Sequence, residues 1–274
     1  MSALIPTPER LDTTQNDQIM IEHLHRYALA ANYVKDKIIL DIASGEGYGT
    51  NLLSATAKFA YGVDISSEAI AHAQNKYKQQ NIAYKQGSAT QIPLDDSCVD
   101  VIISFETIEH HDQHDEMLME CKRVLKPGGL MIISSPEKKY YSDISNYKNP
   151  YHVKELYQHE FKELLAKHFG NAQFLNQKYL SASVILTESG NSAVKEYGGS
   201  YDKLLKKVDF TPIYIIALVS DGDIPKIESS IFIHQQTDNK IADAIAQKYT
   251  SSTTWKLGKL ILSPLVFIRE LLKL

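Results

Sequence analysis

The chain has 274 residues and a formal net charge of −4 at pH 7, from 29 Lys and Arg against 33 Asp and Glu. With 43% apolar and 23% charged residues it can bury a sizeable core, which excludes disordered, collagen-like and low-complexity classes. The slightly acidic balance disfavours a nucleic-acid binder, and the two cysteines, Cys98 and Cys121, make neither a disulfide framework nor a zinc site.

Residues 1–16 are polar and broken by Pro6 and Pro8, and read as an extended arm. Ile19, Ile21, Leu24, Tyr27, Ala28 and Ala31 recur at helical spacing and predict a helix. From there strands and helices alternate: strand Ile38–Leu40, helix Tyr48–Ala57, strand Ala60–Val63, helix Ser66–Gln79 capped by Ser66 or Ser67, and strand Ile82–Gln86. Strand Val99–Phe105, helix Asp112–Val124 ended by Lys126-Pro127-Gly128-Gly129, and strand Leu130–Ser134 follow. A helix over Glu155–Phe169, a strand over Ala172–Tyr179, a polar Gly-rich insertion over 187–211 and a strand over Ile213–Val219 complete the series. Continuous apolar strands separated by helices predict an α/β fold with a parallel sheet covered on both faces. Neither a leader peptide nor an uncharged apolar run of about 18 residues is legible, so a cytoplasmic protein is expected.

The most informative segment is Leu40-Asp41-Ile42-Ala43-Ser44-Gly45-Glu46-Gly47-Tyr48-Gly49, which follows a strand and opens a helix. Glycines there let backbone approach a ligand where a Cβ would collide. The G-x-G-x-G spacing differs from the dinucleotide fingerprint and lacks the Lys-Ser/Thr ending of a phosphate-gripping loop. Asp64 ends the next strand, where a carboxylate can accept both hydroxyls of a ribose. Asp41 is placed either to hold an ammonium or to order the loop. The turn Gln86-Gly87-Ser88-Ala89-Thr90 would border an adenine. Together these residues describe a site for an adenosine with a cationic amino-acid tail.

The segment from Asp41 to Ser135 resembles the core of class I S-adenosylmethionine-dependent methyltransferases. The resemblance rests on the glycine loop, Gly62-Val-Asp-Ile-Ser66, Ile92-Pro-Leu-Asp-Asp-Ser-Cys-Val-Asp100, Ser104-Phe-Glu-Thr-Ile-Glu-His110 and Arg123-Val-Leu-Lys-Pro-Gly-Gly129. It implies a Rossmann-like, seven-stranded, mostly parallel sheet, S-adenosylmethionine as cofactor, and cofactor contacts from Asp41, Ala43, Gly45, Gly47, Asp64, Ile65, Ser88, Ala89 and Phe105. Ser88 departs from the family pattern, where many members carry Asp, so the adenine contact passes to the backbone of Ala89 or Thr90. The flanks Glu22–Ala30 and Asn149–Leu156 resemble members associated with bacterial surface-polysaccharide assembly. By that match Arg26 pairs with the methionine carboxylate and Tyr27 covers the methyl site, the alternative for both being an ordinary amphipathic helix with Tyr27 in the core.

Positioning alone supplies roughly 7–11 kcal/mol in such a transfer and a general base about 10²–10⁴-fold, so the cofactor pocket is the larger contribution. A sugar hydroxyl still has to lose its proton near neutral pH, for which histidine is suited. His110, after the fourth strand, and His152, in the segment crossing the pocket mouth, are the candidate catalytic residues; helix-start and loop-ordering roles are the alternative. His111 and His114 with Asp112 and Asp115 read as a solvated helix cap, and no metal ligand set is expected. Tyr140, Tyr141, Tyr147, Tyr151 and Tyr157 crowd one stretch and suit either stacking on sugar rings or packing on the sheet.

Residues 255–274 carry Lys256, Lys259, Arg269 and Lys273 against Glu270 among leucine, isoleucine and phenylalanine, with Pro264 breaking the run. This basic amphipathic tail is suited to a membrane surface or a partner such as a glycosyltransferase, and equally to its own domain. The expected organisation is an arm and cap helix over 1–34, the methyltransferase domain over 35–237 and a helical tail over 238–274. The expected function is methylation of a sugar oxygen in surface-glycan (O-antigen or capsule-like) biosynthesis, in the cytoplasm, with the tail as the option for a peripheral place at the inner face of the membrane. The alternatives are methylation of a terminal phosphate or of a small molecule (a quinone or nucleotide-sugar), or a non-catalytic scaffold.

Overall fold

A computed structural model describes residues 18–180, 198–199, 201, 204–205 and 211–233. The expected tail over 255–274, the arm over 1–16 and most of the 187–211 insertion lie outside the described residues. The chain divides into two compact units after Ser230, so the boundary expected at 237/238 also falls beyond the described part.

Helix α1 (Gln18–Ala31) precedes strand β1 (Ile38–Ile42), helix α2 (Tyr48–Ser54), β2 (Phe59–Asp64), α3 (Ser67–Lys76) and β3 (Ile82–Gln86). Then come β4 (Val99–Ser104), a 3-10 turn over Ile108–His110, α4 (His114–Val124), β5 (Leu125–Pro136), α5 (Gln158–His168) and β6 (Asn171–Gln177). Two short strands, β7 (Gly198–Gly199) and β8 (Leu204–Leu205), pair with each other, and β9 (Tyr214–Ser220) returns to the main sheet.

The main sheet has seven strands in the order β3-β2-β1-β4-β5-β9-β6. The five strands from β3 to β5 are parallel, and β9 is inserted antiparallel between β5 and β6. This is the expected Rossmann-like, mostly parallel architecture. Side chains alternate across it. Leu40, Ile42, Ile102 and Ile133 join Met117, Leu118, Phe161 and Leu165 on one face, whereas Ile39, Val101, Ile103 and Ile132 join Tyr27, Ala30 and Leu53 on the other.

Several element boundaries differ from expectation, α2 ending at Ser54 and α3 at Lys76 among them, and two of the differences have clear local reasons. Strand β5 begins at Leu125 instead of Leu130, because Lys126-Pro127-Gly128-Gly129 form an irregularity inside the strand: Val99 pairs with Leu125 and Val101 with Leu130. Helix α5 begins at Gln158 instead of Glu155, and the Glu160 carboxylate accepts from the Tyr157 backbone N–H at 2.9 Å to close its first turn. At α3 the Ser66 hydroxyl caps the helix by accepting from the Ala69 N–H at 3.2 Å.

Candidate active site

The carboxyl ends of β1, β2, β4 and β5 gather the site, as the crevice rule for open α/β sheets requires. After β1 the chain turns sharply through Ala43 (φ 56°), Gly45 (φ 55°) and Gly47 (φ 85°). Ala43 is exposed and Gly45 half-buried, whereas Ser44 and Glu46 point inward. The Glu46 carboxylate meets Lys76 Nζ and His72 Nε2, both at 3.2 Å, which ties the loop to α3. Gly47 admits no side chain: a Cβ there would stand 2.7 Å from the Tyr84 ring, whose hydroxyl donates to the Gly47 carbonyl oxygen at 2.9 Å.

Asp64 closes the same loop from the next strand. Its Oδ2 accepts from the Gly45 N–H at 2.8 Å and its Oδ1 from the Ser66 N–H at 2.9 Å. Each oxygen keeps a further lone pair, the donor-seeking arrangement a ribose diol meets. Asp41 differs, because it is buried and both oxygens serve the fold: Thr50 Oγ1 donates at 2.7 Å and the Tyr27 hydroxyl reaches both at 3.3 Å. Burial pushes its carboxyl up to about 7, against the lowering effect of those donors. Of its two expected roles, this geometry is that of ordering the loop.

Tyr27 is turned into the core and not over the loop. Its ring packs edge-on against Tyr48 and Phe105, with centroids 5.5 and 5.2 Å away, and lies where any side chain on Gly49 would stand. The position expected to cover the methyl site therefore braces the loop from behind. Phe105 is likewise buried, beneath Arg26.

Arg26 is enclosed to 1% exposure and stacks 4.8 Å above the Tyr214 ring. Its Nη1 donates to Gln177 Oε1 at 2.9 Å and stands 3.6 Å from Glu106 Oε1, while Nε and Nη2 have no hydrogen-bond partner. Two orphaned donors on one edge of a buried guanidinium are the fork that a carboxylate fills. Glu106 itself has φ 51° and accepts from Ser134 Oγ at 2.6 Å. Sequence reasoning assigned roles to neither Glu106 nor Gln177 nor Tyr214; only the folded sheet brings them to Arg26.

At the adenine end, the Ser88 hydroxyl is committed to its own turn, accepting from the Thr90 N–H at 3.2 Å, and Ala89 is half-buried beside it. Ile65 is exposed at the end of β2, an apolar surface next to Asp64.

Aromatic rings run from Arg26 toward the mouth: Tyr214 to Tyr141 at 6.0 Å, then Tyr141 stacked on His152 at 5.3 Å. His152 and His110 meet edge to face at 5.1 Å, so the two candidates from distant segments are neighbours. Glu109 lies beside them with no hydrogen bond to either carboxylate oxygen and His110 Nε2 3.9 Å from Oε1, and burial, reinforced by the charge of Glu106, holds its carboxyl well above the usual carboxylate range. The other histidine cluster resolves differently. His114 is buried and bonds back to the His111 carbonyl oxygen at 2.8 Å, and Asp115 engages Lys167 and His168.

Residues 40–133 match the family model described as "Methyltransferase domain". A probable S-adenosylmethionine-dependent methyltransferase of Mycolicibacterium smegmatis is 34% identical over 51% of this chain and 54% of its own length. A fatty-acid O-methyltransferase of the same organism is 26% identical over 48% of this chain and 50% of its own. The chain thus spans about half the length of the curated relatives it matches. Among solved structures, an S-adenosylmethionine-dependent methyltransferase from Mesorhizobium loti superposes with a TM-score of 0.51 at 15% identity, covering 70% of this chain and 95% of that one, a likeness of fold. Residues 40–133 thus carry the features of a methyltransferase domain, and the donors of Arg26 and the acceptors of Asp64 fit S-adenosylmethionine as its cofactor.

Proposed function

We propose that the chain transfers a methyl group from S-adenosylmethionine to an oxygen of a hydroxyl-bearing lipid or other small molecule. The observation that carries this reading is the His110–His152 pair beside the cofactor cradle, at the open edge of the sheet. When bound, the cofactor supplies a methyl group on a positively charged sulfur, which needs only a correctly aligned nucleophile.

The residues divide the remaining work. Arg26 takes the cofactor carboxylate through Nε and Nη2, and Asp64 accepts the ribose hydroxyls. The loop of Ala43, Gly45 and Gly47 brings backbone against the amino-acid tail, with Asp41 and Tyr27 holding its shape. Ile65 and the Ser88–Ala89 turn flank the adenine. The histidine pair receives the acceptor hydroxyl and lowers the cost of removing its proton.

The fatty-acid relative supports a lipid in preference to the glycan expected from the flanking segments, and the histidine pair, which an anionic oxygen would not need, supports a hydroxyl on it. A second reading, a sugar hydroxyl, is favoured by Tyr147, exposed beside Tyr141, and Tyr151, exposed beside His110, which offer stacking faces. Among the described residues no helix is long and apolar enough to cross a membrane.

Transfer of labelled methyl from S-adenosylmethionine to a panel of long-chain alcohols, fatty acids, quinols, nucleotide-sugars and phosphate esters tests the reading. Label in the alcohols or quinols is expected, and label in the sugars selects the second reading. Label confined to fatty acids or phosphates overturns a hydroxyl acceptor, because those oxygens are already anionic.

A further inference from the structure

The turn after β4 encloses Glu109 completely, and neither of its carboxylate oxygens has a hydrogen-bond partner. A carboxyl group enclosed in this way needs a proton or a cation to compensate it. The same residue anchors the mouth: its backbone carbonyl oxygen accepts from the N–H groups of Val153 at 2.8 Å and Lys154 at 3.0 Å. That anchorage is what brings His152 against His110. One donor atom each from Glu109, His110 and His152 lies within 4.8 Å of the other two.

The two imidazoles are also oriented from behind. His110 Nδ1 faces the Tyr151 carbonyl oxygen at 3.2 Å, and His152 Nδ1 faces the Glu155 carboxylate at 2.6 Å. An acceptor at Nδ1 keeps the ring proton there and leaves the lone pair on Nε2, the way outer partners orient metal-ligating histidines. At His152 the Asn149 amide donates to Nε2 at 2.9 Å, and it is the group a cation would displace.

We propose that Glu109, His110 and His152 form a binding site for a first-row divalent transition-metal cation, of the zinc, manganese, iron(II) or cobalt class. Two imidazoles and one carboxylate match that class and leave coordination positions open, whereas calcium and magnesium prefer oxygen donors alone. Metal–ligand distances of roughly 2.0–2.2 Å require the three donors to draw together by about 1 Å, a movement available to the partly exposed His110. With a cation bound, the two imidazole lone pairs are engaged, and the cation in place of the imidazoles would hold the acceptor oxygen and ease loss of its proton; in that respect alone the inference rests on the function proposed above.

The test uses the full chain without an affinity tag, stripped with chelator and titrated with Co²⁺ in the absence of S-adenosylmethionine. One Co²⁺ per chain at micromolar affinity is expected, with visible d–d absorption weakened at least tenfold in Glu109→Gln and in His152→Asn. Circular dichroism and thermal melting confirm that both variants remain folded. Absence of the absorption overturns the proposal, as does absorption that Glu109→Gln leaves unchanged. An infrared carboxylic-acid band that is lost in Glu109→Gln and unmoved by Co²⁺ also overturns it, since the compensating charge is then a proton. Because no methyl donor is present, a failed titration leaves the methyl-transfer reading untouched, and failed methyl transfer leaves the titration readable.

Discussion

The Tyr27 hydroxyl lies 3.3 Å from each oxygen of the Asp41 carboxylate, a buried contact between the cap helix and the first strand. It couples α1 to the glycine loop through one buried carboxyl group. Tyr27→Phe keeps the ring packing and removes only this donor, so a loss of about 1–3 kcal/mol in unfolding free energy is expected. Urea denaturation measures it; an unchanged midpoint would show that the bond contributes nothing net.

Asp41 gives the fold a pH dependence of known sign. Its folded value of about 7 lies above the usual carboxylate value of 3.8, so between those limits the folded chain retains a proton that the unfolded chain has lost. Stability therefore declines as pH rises through that interval and levels off above it, by at most about 4 kcal/mol from this group. The groups facing it are Tyr27 and Thr50, whose hydrogen bonds lower its value, Asp64, whose charge raises it, and Tyr84. Unfolding free energies at pH 5 and pH 7.5 are expected to differ less in Asp41→Asn than in the native chain. Equal differences would place the buried proton elsewhere.

Two glycines with positive φ separate ligand-loop strain from backbone strain. At Gly47 an added Cβ meets both the Tyr84 ring at 2.7 Å and Ala73 Cβ at 2.8 Å, whereas at Gly128 (φ 71°) nothing lies within 4 Å. Gly128→Ala is expected to cost about 1–2 kcal/mol of backbone strain and to leave cofactor affinity alone. Gly47→Ala adds overpacking of about 1–3 kcal/mol and distorts the loop, so calorimetric titration with S-adenosylmethionine is expected to show binding lost. Equal affinities in the two variants would contradict this division.

Arg26 separates the tail of the cofactor from its nucleoside. Charge-assisted hydrogen bonds from a guanidinium contribute about 1.5–3 kcal/mol, so Arg26→Met is expected to weaken S-adenosylmethionine binding roughly 10–100-fold. Methylthioadenosine has no amino-acid tail and is expected to bind the variant and the native chain alike. A parallel loss for both ligands would mean that Arg26 supports the sheet and does not grip the carboxylate.

The legible part of this molecule is the part whose signals are local. Ile38–Ile42 and Val99–Ser104 announce themselves as apolar runs, and Ser66 as a cap, since three or four neighbouring residues decide each. Asp64 is legible because its place at a strand end already specifies its surroundings. Glu109 is not: in Thr107-Ile108-Glu109-His110 it reads as an ordinary acid at a turn, and only the returning segment at Val153 and Lys154 shows that it is enclosed. Tyr27 shows the same limit from the other side, since the open space over Gly49 that receives its ring belongs to a different helix. Arg123, inside a quoted family segment, binds Glu120, Asp96 and the carbonyl oxygens of Ile92 and Leu94, which makes it a clasp between α4 and the preceding loop.

Strands β6 and β9 meet as antiparallel neighbours, with Gln177 opposite Tyr214, and both residues touch Arg26. Whatever lies between them therefore leaves from and returns to one clamped gate on the carboxyl side of the sheet. Loop-closure entropy rises only by about 0.6 kcal/mol for each doubling of length, so a change in the length of this connection carries little entropic cost to folding. For evolution, as for a designer, the setting of Arg26 by Gln177 and Tyr214 does not depend on the length of that connection.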